Sequence, residues 1–494
     1  MLSQFALLIL GFFSQRAMNL YMGAELVGMN GVISNVINIL SVTELGISTA
    51  IVYHLYGALA RKDEAEIASL MNLYRKAYHV FAVLVFAAGM AVLPFIHLFM
   101  KNNSYSLSYI RVLYAMWLVR TVLSYLLTYR KSLLIADQKE YIASITGLIL
   151  NVVSYLAIIL LVTWEQNYLL ALGIGTVTEV VLNIWISWYV EQKYPFLRQR
   201  RKEKSTSSLT KRIVRDLKSL FISRISEKML YCTDNLIISG FIGVGTVGRY
   251  ANYCMITQAI SNILTILANT IQPTVGDYFT EKNRQRNYEI LRQLTFGFFC
   301  IASVVSVGLF SLITPFVRDI WLGPSYELGW GITVFCIVVL LVRIMGLPLS
   351  LVMGVTGPFE KEKNVGASSA LLNLIVSLAL VKPYGMAGVL LGTLLSYLLQ
   401  ILYRYIIYFR DFLEMPGEAL RYAQDIGEYL AVIAGEVLLM QKIVPLIYGA
   451  GGMLLFCVCF LLCIAIPLLL DLVIFGRGWR LQSIVTMVKG MRKA

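Results

Sequence analysis

The sequence predicts an all-α polytopic membrane protein of about 14 transmembrane helices. Two six-helix lobes, related by a parallel pseudo-twofold repeat around a central cavity, are expected, with two further helices at the C-terminal end. Three observations carry that expectation: apolar runs from end to end, a lopsided distribution of Lys and Arg, and an internal correspondence between the halves.

Of the 494 residues, 58% are hydrophobic and 14% charged. Apolar runs of roughly 20 residues recur, each able to cross a ~30 Å hydrocarbon core. Such runs are too long for the ~10-residue strands of a barrel, so the spans are helices. They are placed at 2–22, 27–59, 77–100, 107–129, 140–163, 167–190, 217–242, 246–274, 292–318, 327–356, 364–381, 386–409, 422–440 and 447–475. The opening stretch, MLSQFALLILGFFSQRAMNLY, lacks a basic n-region and an A-x-A cleavage site, so it is a retained first helix rather than a signal peptide. Span thirteen is interrupted by Asp425, Glu428 and Glu436. It is kept because dropping it would carry the basic tail to the opposite side of the membrane.

The net charge of +14 would suggest nucleic acid in a soluble protein. Here 31 of the 42 Lys and Arg residues fall in alternate connections, against five in the intervening ones. This asymmetry predicts both termini in the cytoplasm and makes the charge a matter of topology. The seven cysteines lie within apolar spans, without zinc spacing or a secreted disulfide pattern. No Walker loop is present, and the three histidines are scattered. The expectation is a transporter, with no enzyme activity, no metal, no resident cofactor and no nucleic-acid partner.

The longest hydrophilic stretch, KYPFLRQRRKEKSTSSLTKR, divides the chain. The predicted organisation is an N-lobe at 1–190, a basic cytoplasmic linker at 191–216, a C-lobe at 217–410, and the last two spans with a basic tail at 411–494. Val27-Gly28 corresponds to Val247-Gly248, Pro94-Phe95 to Pro315-Phe316, Asn151 to Asn373, and Gly175-Thr176 to Gly392-Thr393, at offsets of 220, 221, 222 and 217. Four pairs in one order indicate a duplication. An even number of spans per copy gives both lobes one orientation, as in transporters that hold substrate between parallel lobes.

Six basic residues, Arg16, Arg120, Arg224, Lys228, Arg249 and Arg343, lie inside spans. A charge facing lipid at mid-bilayer costs ~2.5–3.5 kcal/mol on insertion scales, so most of the six are expected to face a wet cavity or an acidic partner. Candidate partners are Glu44, Glu179, Glu227, Asp234, Glu436 and Asp471. Arg224, Lys228 and Tyr231 share one face of span seven, with Glu227 and Asp234 at its edge. Pairing within that helix is the competing structural reading, as is snorkelling for Arg16. Arg120 and Arg343 have no acidic partner nearby in sequence and are the better candidates for a ligand anion. Asn30 and Asn38 on span two, with Gln258, Asn262 and Asn269 on span eight, form polar stripes suited to lining a lumen. Glu44, Glu227 and Asp234 are candidates for ion coupling to a proton or sodium gradient, or for salt bridges.

The segments GAELVGMNGVISNVINILSVTELGISTAIVYHLY (23–56), RISEKMLYCTDNLIISGFIGVGTVGRYANY (224–253) and NTIQPTVGDYF (269–279) resemble the Wzx-type polysaccharide flippases of the multidrug/oligosaccharidyl-lipid/polysaccharide exporter superfamily. The resemblance implies a bacterial cytoplasmic-membrane flippase. Its substrate would be an undecaprenyl-pyrophosphate-linked oligosaccharide repeat unit for O-antigen or capsule export, moved by alternating access beside membrane lipids and a polysaccharide polymerase machinery. It also implies that Arg16, Arg224, Lys228 and Arg249, with Arg343 and Arg120, meet the pyrophosphate. One departure from the family's pattern is that the chain begins almost directly in span one, without the short basic leader common in relatives. A cation-coupled multidrug exporter of the same superfamily and a lipid II flippase are the competing expectations. A glycan polymerase would carry a large external loop, and every predicted outside loop is short.

Overall fold

The computed structural model describes residues 2–41, 47–198, 228–229, 232–279, 283–356, 359–449 and 451–476. Among these the backbone is helical nearly throughout, without strands. Eleven of the described helices are long and apolar enough to cross a membrane. The chain is a multi-pass membrane protein that forms two compact units, Met1–Ala251 and Asn252–Ala494.

In the first unit, α1 (Leu2–Ala17) continues through a π turn at Met18–Met22, matching the first predicted span. Gly23, at φ 82°, takes the left-handed turn before α2 (Gly23–Leu40). The second span, expected over 27–59, takes in α2 and α3 (Ile47–Arg61), and 42–46 lie outside the described residues. The Asp63 carboxylate caps α4 (Glu64–Val92) by accepting from the Glu66 amide at 2.9 Å. Ser106 caps α5 (Leu107–Thr128) and Asn167 caps α8 (Tyr168–Lys193) in the same way. Between them lie the short α6 (Lys131–Ala136) and α7 (Glu140–Trp164). α1 packs on α7, α7 on α8, α8 on α5, and α5 on α4.

Where α6 leads into α7, beyond the spans, Asp137 accepts hydrogen bonds from Lys139 and the Tyr194 hydroxyl. Burial alone would raise the Asp137 carboxyl, but these two donors outweigh it and hold the carboxyl below its ordinary range. A depressed carboxyl contributes stability above its unfolded pKa and loses it as pH falls through the folded value. This tie is therefore intact at neutral pH. Burial and the same carboxylate push the Tyr194 hydroxyl up to about 12.

The chain then passes through helical backbone at 232–241 to α9 (Val244–Phe279), which straddles the division between units. The second unit is built around α10 (Arg284–Pro315), which runs on into a π turn at Phe316–Trp321. Pro315 begins no break, because its missing N–H is absorbed by the change of helical register. α11 (Trp330–Thr356), α14 (Pro416–Tyr448) and α15 (Met453–Phe475) pack directly on α10. α12 (Phe359–Tyr384) turns at Gly385, φ 58°, into α13 (Met386–Ile406), and the two form a close hairpin. Phe299 of α10 stacks on Tyr429 of α14 at 4.5 Å between centroids, and Phe475 of α15 meets Phe299 edge-on at 5.5 Å.

Two of the three acidic residues of span thirteen find inward partners, while Glu428 is exposed. Asp425 receives a bidentate pair from Arg292, Nε at 2.6 Å and Nη2 at 2.9 Å, and Glu436 accepts from the Ser303 hydroxyl at 2.6 Å. Polar residues in a bilayer-length helix are tolerated where they face the bundle interior, and α14 places both carboxylates there.

Candidate functional site

α2, α5 and α8 bring a connected set of polar side chains together within the first unit. The Asn30 carbonyl oxygen accepts from Trp117 Nε1 and from the Tyr168 hydroxyl, each at 2.8 Å. One turn along α5, the Arg120 guanidinium lies 5.5 Å above the Trp117 ring, and its Nε is 2.7 Å from Glu179 Oε2. The placement follows from helical spacing. Trp117 and Arg120 are three apart on α5, while Tyr168 and Glu179 are eleven apart on α8, and each pair shares a face.

For Arg120, the geometry bears on the choice between an acidic partner and a ligand anion. Its acidic partner exists, 59 residues away in sequence, and pairing to Glu179 neutralises a half-buried charge. The guanidinium suits this position because its planar fork can pair with a carboxylate while its face rests on an indole. Asn30 is likewise a junction in a fixed network. Replacing it with Ala leaves the Trp117 and Tyr168 donors without their acceptor, at an expected cost of about 1–3 kcal/mol. Asn30→Asp, which still accepts, should lose less. Thermal melting of the two purified variants checks the order.

Other predicted cationic residues sit differently. Arg16, in the last turn of α1, and Arg249, in the first turns of α9, are exposed, and Lys228 is half-buried. None of the three makes an ion pair among the described residues. Lys228 and the buried Asp234 both lie within electrostatic reach of Cys232. Arg224, Glu227, Tyr231 and Glu44 lie outside the described residues.

In the second unit, the polar stripe of α9 is present on its exposed side. Gln258 donates to Asn262 at 3.0 Å, and Asn269 is exposed. Asn38 of α2 donates within its own helix, to Ser34 at 3.4 Å. Arg343 of α11 stands 5.5 Å over the Tyr397 ring of α13. Asn373 of α12 donates to Thr393 of α13 at 2.9 Å in a fully buried contact, and Ser377 reaches the Val389 carbonyl. Asn373 and Thr393 are both members of the sequence repeat.

One contact went unread in the sequence although both of its residues were marked by the repeat. α2 crosses the start of α9 with backbone against backbone. A Cβ added to Gly28 would overlap the Val244 carbonyl and lie 2.9 Å from the Gly248 nitrogen, and a Cβ added to Gly248 would overlap the Ala24 carbonyl. Ala24 and Val244, like Gly28 and Gly248, are 220 apart. The contact is thus reciprocal: each copy's glycine lies against the other copy's carbonyl four residues earlier. Small residues spaced by four permit such close approach where lipid supplies no hydrophobic drive.

The family model described as "Polysaccharide biosynthesis protein" matches residues 1–279, through the end of α9. No curated protein sequence matches the chain. Among solved structures, the chain is similar to "Lipid II flippase MurJ, inward closed conformation", at 16% identity over 96% of this chain and 98% of that one, with a TM-score of 0.67. It is also similar to an inward-facing multidrug resistance MATE family transporter of the MOP superfamily, at 13% identity over 83% and 94% of the two chains, with a TM-score of 0.61. Identities this low establish a shared fold.

Proposed function

The chain belongs to the polysaccharide biosynthesis protein family, and on that premise we propose that it is a flippase for undecaprenyl-pyrophosphate-linked oligosaccharides. It would act in the bacterial cytoplasmic membrane, with both termini on the cytoplasmic side. A pyrophosphate bearing a hydrated glycan cannot cross hydrocarbon unaided. Alternating access lets a polar path take the headgroup while the polyprenyl tail stays in lipid. No covalent bond of the substrate changes in this cycle.

The observation that carries the reading is the state of Arg16 and Arg249. Both are cations on apolar helices, both are exposed, and neither is spent on a carboxylate among the described residues. An anionic headgroup is the ligand such groups fit, since guanidinium makes paired hydrogen bonds to phosphate oxygens. Lys228 and Arg224 would extend the same set. Arg120, tied to Glu179, would position Trp117 and the α5–α8 packing rather than meet substrate directly. A proton or sodium gradient is the proposed energy source, with Asp234, Glu44 and Glu227 as candidate coupling carboxylates. Partners in this reading are the lipid-linked substrate, membrane lipids and the polymerase machinery that receives the unit for O-antigen or capsule.

The test is complementation in a bacterium lacking its own polysaccharide flippase and carrying the matching polysaccharide cluster. The wild-type chain should restore surface polymer. Arg249→Ala and Arg16→Ala should insert normally yet restore about tenfold less or worse, as expected for losing a charge-assisted contact worth ~1.5–3 kcal/mol. Full restoration by both variants would remove these arginines from the binding site. Lack of restoration by correctly inserted wild type would remove the flippase reading itself.

A further inference from the structure

The last two spans carry a feature that pyrophosphate binding does not use. Glu436 of α14 and Asp471 of α15 are 3% and 4% exposed, facing the fully buried Ser303 of α10. Ser303 has one hydroxyl proton and gives it to Glu436 Oε2 at 2.6 Å. Among the described residues, Glu436 Oε1 and both Asp471 carboxyl oxygens have no hydrogen-bond donor. Three buried acceptor atoms are therefore left without a donor, on the same three helices that join in the Phe299–Tyr429–Phe475 aromatic stack.

Two carboxylates buried side by side are untenable as a pair of bare charges. Burial in low dielectric and mutual repulsion both disfavour the doubly ionised state. Among the described residues, the neighbouring groups do not supply the missing charge. From α10 the titratable side chain facing the pair is the half-buried thiol of Cys300. From α14 it is the Tyr429 phenol, two turns away. Arg292 lies eleven residues before Ser303 on α10, ~16 Å along the helix, and both its Nε and Nη2 are committed to Asp425. At the other end of α10, Arg318 is paired with Asp319, which also accepts from Tyr448. Compensation has to come from a cation small enough to enter.

We propose that Glu436, Asp471 and Ser303 form a binding site for a single monovalent cation, either a proton shared by the carboxyls or a sodium ion held by the three free oxygens. The site stands apart from the cations assigned to the pyrophosphate, and it ties α14 and α15 to α10 only while it is occupied. Coupling of occupancy to the packing of these two helices follows from linkage, since an ion bound only by the folded arrangement stabilises it.

The experiment is thermal melting of the full-length protein in lipid nanodiscs, beside the isosteric variant Glu436→Gln/Asp471→Asn. Between about pH 6 and pH 9, with N-methylglucamine as the only cation, the wild type should lose on the order of 5 °C more than the variant. Sodium chloride, exchanged for equimolar N-methylglucamine chloride at the upper pH, then separates the sources. Recovery of the wild type but not the variant identifies sodium, and no recovery identifies the proton. Parallel responses of the two proteins to both pH and sodium would overturn the site, as would a wild type indifferent to both, which would mean two permanently protonated carboxyls. If the double variant fails to insert, Asp471→Asn alone keeps the buried Glu436 carboxyl but removes the mutual repulsion, so its loss of melting temperature between the two pH values should be smaller than the wild type's, and an equal loss would overturn the paired site.

Discussion

Arg292→Ala is expected to destabilise the protein by about 3–5 kcal/mol, the largest effect of any single side-chain truncation considered for the second unit. Asp425 is 6% exposed, and its two oxygens receive both nitrogens of the Arg292 fork at 2.6 and 2.9 Å. Truncating the arginine strands a carboxylate inside a helix bundle, and the penalty is that of an uncompensated buried charge. The reverse truncation, Asp425→Ala, strands a cation and should cost a similar amount, softened because the longer arginine stem can reach toward water. Replacing both partners together, as Arg292→Met with Asp425→Leu, should recover most of the loss, because an apolar pair of similar volume needs no compensation. Melting temperatures of the three purified variants decide this. A double variant as unstable as either single one would mean that the pair contributes stability beyond mutual neutralisation.

The second large effect is expected at the crossing of α2 and α9. Gly28→Ala and Gly248→Ala each place a methyl group inside the van der Waals radius of a carbonyl oxygen, and backbone cannot swing away as a side chain can. The helices must separate, at a cost of about 1–3 kcal/mol for each substitution. Leu at either position should prevent the contact altogether. Gly31 is the internal control. It lies on the same helix, and its added Cβ would meet Val247 Cγ1 at 3.9 Å, an ordinary contact. Gly31→Ala should be neutral or stabilising by up to ~1 kcal/mol, since alanine is the better helix former. Equal melting temperatures for all three alanine variants would show that the close approach contributes nothing.

Much of the architecture was legible in the sequence because bilayer thickness and backbone satisfaction leave few alternatives. The first span and the spans at 140–163 and 167–190 match their helices closely at both ends. Helices such as α4, α9 and α10 run beyond their apolar cores, where hydropathy falls but capping residues such as Asp63 and Asn283 set the true start. The Asn30 network was half-legible. Asn30 stood out on a polar stripe, but Trp117 and Tyr168 look like packing or interfacial aromatics until the fold brings their donors to it. Arg120 looked unpaired because periodicity reveals partners one or two turns away and is blind to a carboxylate 59 residues distant. The repeat marked Gly28 and Gly248 as equivalent, yet nothing in a one-dimensional pattern says that equivalents touch. In span thirteen, two of the three acidic residues that weakened the apolar signal, Asp425 and Glu436, are turned inward to partners on α10, while Glu428 is exposed.

The measurement that bears most directly on the flippase reading uses proteoliposomes loaded with a fluorescent undecaprenyl-pyrophosphate oligosaccharide, probed from outside with a membrane-impermeant reagent that destroys the label. In protein-free vesicles only the outer-leaflet half should react. With the wild-type chain, most of the label should become reactive, and Arg249→Ala should slow that conversion about tenfold or more, in line with the loss of a phosphate contact. Protection of the inner half despite verified insertion, with this substrate and with lipid II alike, would contradict the account.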